Sequence, residues 1–396
     1  WCDQVTSPIF DPYNFEGDLS PDNFMRFLKL CADRGVSDIL VQGGDYIWVE
    51  LHGRQLKAST TTIKQGQLSP LMASAWSAEI ESMIKQGDEG VDRALELAGE
   101  EFGLARGTTL RFRTNFVQAR IASIDEAYSI TMRVIPSDLP DIDKMGIEPD
   151  LIRGCYAEMG LVLVCGPTGS GKTTFLAGLY KKAGTEMPDR KVITYEDPIE
   201  YVLGGPHWLG PQPSQSQLRR DIGDFPKALR NAMRRKPSII GIGEARDRET
   251  IEAMTEAGLT GHLCFATMHT ESVAETINRA IQTYPPDQQA GMASRLAGAL
   301  RVILVQRLLK TTDGKRAAIR EYLVFDREVR NELQSLPYTD WGRFIRGLLE
   351  KAEATLDDKA WRLFQADRID AGEFISLAGA KEFKKRWELE GLNHGI

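Results

Sequence analysis

The chain has 396 residues, 42% of them hydrophobic and 27% charged; this is enough for two or three domains with their own cores and excludes a disordered or fibrous polypeptide. Its longest apolar stretches, such as Leu161 to Cys165 and Val302 to Val305, fall far short of the roughly 20 residues that span a bilayer. A formal net charge of −7 argues against a broad electrostatic footprint for nucleic acid and so against nucleic-acid contact, while leaving room for a local basic patch.

The opening Trp1-Cys2-Asp3-Gln4 lacks the basic start, apolar middle and small-residue cleavage site of a secretory signal, which leads us to expect a cytosolic protein. Residues 1–20 mix Pro, Asp, Asn and Gly with few periodic apolar positions and read as a flexible leader. Ser20-Pro21-Asp22 then starts a helix whose apolar stripe is Phe24, Phe27, Leu28 and Leu30. Alternating runs at Asp38 to Gln42 and Tyr46 to His52 predict strands, Leu68 to Gln86 a helix, and Thr109 to Ile135 strands again. Residues 21–135 are thus expected to form a small α+β domain. Prolines and turn residues from Pro136 to Pro149 break both periodicities and predict a linker over 136–150.

Over 151–340, strand-length apolar runs at Leu161 to Cys165, Lys191 to Glu196, Ser238 to Ile242 and Leu263 to Met268 alternate with helical segments. That alternation predicts an α/β domain with a parallel, doubly wound sheet. Residues 341–396 are charged and amphipathic and predict a helical extension, with Trp341, Phe344, Leu348 and Leu349 as a core-facing stripe. Five scattered cysteines (Cys2, Cys31, Cys155, Cys165, Cys264) form no Cys-x-x-Cys pair, and Cys165 and Cys264 read as small core hydrophobes.

The strongest chemical signal is Gly166-Pro167-Thr168-Gly169-Ser170-Gly171-Lys172-Thr173-Thr174, a phosphate loop lying between an apolar strand and the helical run from Phe175. Its glycines let backbone N–H groups curl around phosphate oxygens, Lys172 bridges the terminal phosphates and Thr173 holds Mg²⁺, so ATP and Mg²⁺ are the expected ligands. Two acidic strand ends follow: Glu196, Asp197 and Glu200 after the second core strand, and Glu244 after the third. In a parallel sheet both open onto the crevice where a nucleotide sits. Carboxylates there can polarise a water or hold Mg²⁺ through its hydration shell, and they are also compatible with a solvated strand end. Because Gly243 stands where an Asp is usual, metal binding leans on Thr173, water and Glu196. His262 and His269 flank the fourth core strand, where a histidine can sense the γ-phosphate or serve only structure.

In that order, the phosphate loop, Ile193 to Glu200, Gly243 to Thr250 and Thr260 to Thr270 resemble the Walker A, Asp, Walker B and His boxes of the type II/IV secretion ATPases. The likeness covers roughly residues 20–335 and includes Arg111-Phe112-Arg113 and Arg133-Val134-Ile135. Within the family the chain is similar to the PilT-like branch and its DotB and TraJ group of type IVB secretion and IncI-type conjugation; Arg320 to Asp326, Arg234 to Pro237 and the lack of a tetracysteine module support this. The resemblance implies a PAS-like N-terminal domain joined to a RecA-like ATPase domain, assembled as a homohexamer. It casts Glu200 and Glu244 as catalytic glutamates and His262 and His269 as monitors of the γ-phosphate. Arg111, Arg113 and Arg133 would complete the site on domain closure, or else form a solvated sheet face.

A cytoplasmic motor recruited peripherally to inner-membrane secretion components follows from the resemblance, with a pilus retraction motor as the alternative. A small-molecule kinase would need an acceptor site and lid that the sequence does not display, and a nucleic-acid motor would need a basic channel. A non-hydrolysing assembly factor sits poorly with the intact acids.

Overall fold

The computed structural model describes residues 10–17, 19–51, 53–86, 90–104, 109–135, 138–218 and 220–389. Half of the expected leader (residues 1–9 and 18), His52, and Pro136 and Ser137 of the expected linker lie outside them. The chain divides into two compact units, Trp1–Asp138 and Leu139–Ile396.

In the first unit, α1 (Pro21–Asp33) leads to β1 (Asp38–Gln42), β2 (Trp48–Leu51) and β3 (Arg54–Lys57), followed by α2 (Gln65–Ala75), α3 (Ile80–Gln86), β4 (Val91–Ala98), β5 (Thr109–Ile121) and β6 (Ile124–Ile135). The six strands form one antiparallel sheet in the order β3-β2-β1-β6-β5-β4. Phe24, Phe27, Leu28 and Cys31 of α1 are buried against Phe112, Phe116, Ile130 and Met132 of the sheet. Within the expected leader, Phe10, Phe15 and Leu19 are buried and the Tyr13 backbone pairs with Ala58 and Thr60, so this stretch is packed. The helix expected over Leu68 to Gln86 is two helices, because Trp76 leaves helical geometry to stack edge-on against Phe116 and Ser77 accepts the Glu79 N–H to start a new turn.

The second unit contains α4 (Pro149–Cys155), β7 (Gly160–Cys165), α5 (Lys172–Glu186), β8 (Val192–Glu196), β9 (Ser214–Gln217), α6 (Phe225–Ala232), β10 (Ile239–Ile242), α7 (Arg248–Leu259), β11 (Leu263–Met268), α8 (Val273–Gln282), α9 (Pro286–Ala299), β12 (Leu300–Lys310) and β13 (Arg316–Val324). Its sheet runs β13-β12-β7-β11-β10-β8-β9, parallel throughout except for the β12–β13 pair. The three central strands β7, β11 and β10 are buried at every position, as strands covered on both faces must be. Val162, Val164, Phe265 and Leu304 face α4 and α5, while Leu161, Leu163, Ile240 and Ala266 face α6 to α9.

The chain ends in α10 (Arg327–Ser335), α11 (Trp341–Lys351), α12 (Leu356–Gln365), α13 (Ala371–Ala378) and α14 (Ala380–Leu389). Trp341 and Leu349 are buried, Phe344 and Leu348 are half-buried, and Ile345 carries the rest of the stripe. Trp341, Ile345 and Leu349 share one hydrophobic cluster with the second unit's sheet, so the helical extension is built onto that core. Among the described residues, no helix is long and apolar enough to cross a membrane.

Candidate functional site

The phosphate loop leaves β7 and closes onto the start of α5, and its shape depends on residues without side chains. Gly166 (φ +136°) and Gly171 (φ +85°) occupy backbone conformations that a Cβ disfavours. A Cβ at Gly166 would also lie 2.3 Å from the Gln306 carbonyl oxygen, and one at Gly171 would lie 2.8 Å from the Gln306 Nε2. Gln306 on β12 is the brace behind the loop: its Nε2 donates to the Ser170 carbonyl at 2.6 Å, and its Oε1 accepts Arg320 Nε at 2.8 Å. Lys172 is buried and donates to the carbonyls of Gly166 and Pro167 at 2.8 and 2.9 Å. Burial lowers its pKa, an effect opposed by the negative charges of Glu244 and Glu200.

A nucleotide phosphate fits this cradle on two observations. The curl of Gly166 to Gly171 leaves backbone at the start of α5, where N–H groups and the helix dipole favour an anion. The Ser170 hydroxyl is buried there with no hydrogen-bond partner, an arrangement that costs free energy unless a ligand atom or water supplies one. Thr173, half-buried in the first turn of α5, can present its hydroxyl to Mg²⁺. No group of three or more metal-ligating side chains occurs among the described residues. That donor set suits an ion held by one hydroxyl, water and phosphate oxygens. Thr174 meets the Tyr201 hydroxyl at 3.2 Å, joining the loop to the segment that carries Glu200.

Sheet order places the remaining groups. Moving outward from β7 along its carboxyl edge come the ends of β11, β10 and β8, bearing His269, Glu244 and Glu196 in turn. His269 Nε2 lies 3.4 Å from Glu244 Oε1, and Arg246 is ion-paired to the same carboxylate. The His269 pKa is lowered, first by burial and then by Lys172, against the opposing pull of Glu244. The Glu244 turn is pinned on both sides, by Gly243 N–H donating to Tyr195 O at 2.8 Å and by Ala245 N–H donating to Thr267 O at 2.9 Å. A Cβ at Gly243 would approach the Glu196 Cα to 3.2 Å, so a side chain at this position, where the family resemblance leads one to expect Asp, would press on the end of β8.

One expected site residue lies at the opposite edge of the sheet, and another is the outermost of the row. His262 stands at the amino end of β11, beside Gly160, and seven residues of extended chain put it roughly 20 Å from His269; the phosphate loop is at the opposite edge of the sheet. Glu196 ends a strand three spacings from β7, about 14 Å across the sheet. Its carboxylate accepts Thr194 Oγ1 at 2.6 Å and Gln215 Nε2 at 3.0 Å, and burial raises its pKa. Gln215 also donates to Tyr201 O at 2.8 Å and accepts the Leu203 N–H at 2.7 Å, so this pair shapes the segment holding Glu200.

In the N-terminal unit, Arg111, Arg113 and Arg133 share one sheet face, opposite the buried Phe112, with Arg113 and Arg133 directly paired across β5 and β6. Each contacts an acid: Glu96 at 2.9 Å, Asp92 at 3.9 Å and Asp38 at 2.9 Å respectively. Motif reading alone does not single out Gln306, Arg320 or Gln215 as site residues, yet the pair Gln306-Arg307 breaks the apolar pattern between Val302 and Leu309.

Comparison with known proteins agrees with this geometry. A family described as "Type II/IV secretion system protein" matches residues 23–339. The type IV pilus retraction ATPase PilT of Pseudomonas aeruginosa is 32% identical over 307 residues, covering 77% of this chain and 83% of PilT. Among solved structures, the Legionella pneumophila ATPase DotB superposes with a TM-score of 0.84 at 32% identity, covering 93% of this chain and all of that one. The pilus retraction motor PilT with bound ADP gives 0.77 at 28% identity, covering 91% of this chain and 98% of that one.

Proposed function

Because the chain belongs to the type II/IV secretion system protein family and is an ATPase of the PilT-like branch, we propose that it is a homohexameric, cytoplasmic motor that powers a type IVB or conjugative secretion apparatus. The observation that carries the proposal is the row of groups on one sheet edge, Lys172, then His269, then Glu244. Lys172 would leave its loop carbonyls for the terminal phosphates. Glu244 and Glu200, whose charges both act on Lys172, would orient and deprotonate the attacking water. His269, neutral and in contact with Glu244, would register the γ-phosphate. Thr173 would hold Mg²⁺, which when bound neutralises phosphate charge.

The arginine face of the N-terminal unit would complete the site by neutralising charge on the transferring oxygens, Arg113 and Arg133 foremost. Exchange of acid partners for phosphate is open to Arg133, whose side chain is 52% exposed. Such rings would be recruited to secretion components at the cytoplasmic face of the inner membrane. A DotB-like role is favoured over pilus retraction by the higher structural overlap of 0.84 against 0.77. Restored substrate export in a strain lacking DotB would support this, and restored retraction in a strain lacking PilT would favour the alternative.

Glu244→Gln tests the chemistry. Its turnover should drop by roughly 10² to 10⁴, as for loss of a general base, while nucleotide binding persists. Wild-type turnover in this variant would remove Glu244 from the mechanism.

A further inference from the structure

Strand β13 carries two adjacent charged residues, Arg320 and Glu321, both nearly fully buried. Successive strand residues face opposite sides of a sheet. On one side Arg320 braces Gln306 and, through it, the phosphate loop. On the other, Glu321 Oε1 accepts the Val273 N–H at 2.8 Å and Oε2 accepts the Leu356 N–H at 3.3 Å.

Val273 and Leu356 are the first residues of α8 and α12. Their N–H groups have no partner within their own helices, and helix starts favour negative charge. Local caps already serve other donors: Ser272 accepts the Glu275 N–H, and Thr355 and Asp358 form a capping box. Glu321 therefore satisfies what those caps leave over, on two helices at once. Burial raises its pKa, and the two backbone N–H groups and the charge of Arg346 oppose that rise.

The two helices lead to different places. Helix α8 follows immediately after His269 to Ser272, and the Thr270 and Thr276 hydroxyls, 2.6 Å apart, bind that segment to the helix. Helix α12 belongs to the C-terminal extension, and its Lys359 reaches Glu148, just before α4, at 3.1 Å. A shift of the His269 segment would move the Val273 N–H against a carboxylate that also holds α12.

We propose that Glu321 is a positioning residue that couples the His269 segment to the C-terminal helices, so that the state of the bound phosphates reaches α12. This rests on the ATPase reading above. The helical extension thereby gains a role, with α12 as the output of the phosphate sensor.

The test compares backbone hydrogen exchange of the full chain with a non-hydrolysable ATP analogue and with ADP, in the wild type and in Glu321→Gln, alongside direct nucleotide binding. The amide side chain keeps the size of Glu321 but only one accepting oxygen. In the wild type, peptides over 269–276 and over 356–360 should both exchange more slowly with the analogue. In Glu321→Gln the first response should remain and the second should vanish, with kcat down roughly tenfold and KM for ATP unchanged. A wild-type response at 269–276 without one at 356–360 would overturn the coupling whether or not the variant folds. So would an undiminished α12 response in the variant. Failure of the wild type to bind either nucleotide would instead strike the ATPase reading itself.

Discussion

Glu244 and His269 stand at the ends of neighbouring strands, with the His269 Nε2 3.4 Å from the Glu244 carboxylate. Burial and the nearby Lys172 hold the His269 pKa below the ordinary histidine value, which leaves the ring neutral at pH 7. A lowered histidine pKa means that the folded chain binds fewer protons than the unfolded one. This group's contribution to stability is therefore lost as pH falls through the unfolded value toward the folded one. NMR titration of the His269 ring should give a midpoint below about 6.5, shifted upward by an ATP analogue whose phosphate charge favours the imidazolium. A midpoint at or above the ordinary value without nucleotide would contradict the site's electrostatics. The residue types of this constellation were legible in the sequence; their distances were not. His262 and His269 look equivalent as letters, yet a single buried strand separates them, because all six residues of β11 are needed to cross the core.

At the scale of elements, the phosphate loop is held from behind by β12 and β13. Gln306→Ala would leave the Ser170 carbonyl and the Arg320 guanidinium without their buried partner, a loss of about 1–3 kcal/mol for each group left unsatisfied. Thermal unfolding should register that destabilisation, and nucleotide titration should show weaker ATP binding. Unchanged ATP affinity would mean that the loop holds its shape unaided. Motif reading misses this brace because Gln306 is distant in sequence from the loop. Its signal is the polar pair Gln306-Arg307 interrupting a strand-length apolar run.

The core strands were legible for the opposite reason. Leu263 to Met268 is apolar almost without interruption and bounded by Gly261 and Thr270, and β11 fills that interval. Strand β4 escapes notice because Val91 to Ala98 carries charges at several of its exposed positions. Strand β9 is four polar residues on a sheet edge, with no periodicity to read.

For the whole molecule, two units and a helical extension fused to the ATPase core follow from three separate patterns of burial. Composition and alternation indicated the α/β class. The shared core of Trp341, Ile345 and Leu349 with the ATPase sheet required long-range packing that no local pattern encodes. The N-terminal arginines belong to a different unit from the phosphate loop, so the proposal that they serve catalysis makes activity depend on how units and subunits assemble. Steady-state ATP hydrolysis per subunit, measured across a wide range of protein concentration with mass determined in parallel, tests this most directly. The account predicts that the rate per subunit rises as a sixfold species appears. A constant rate in a lasting monomer would contradict it.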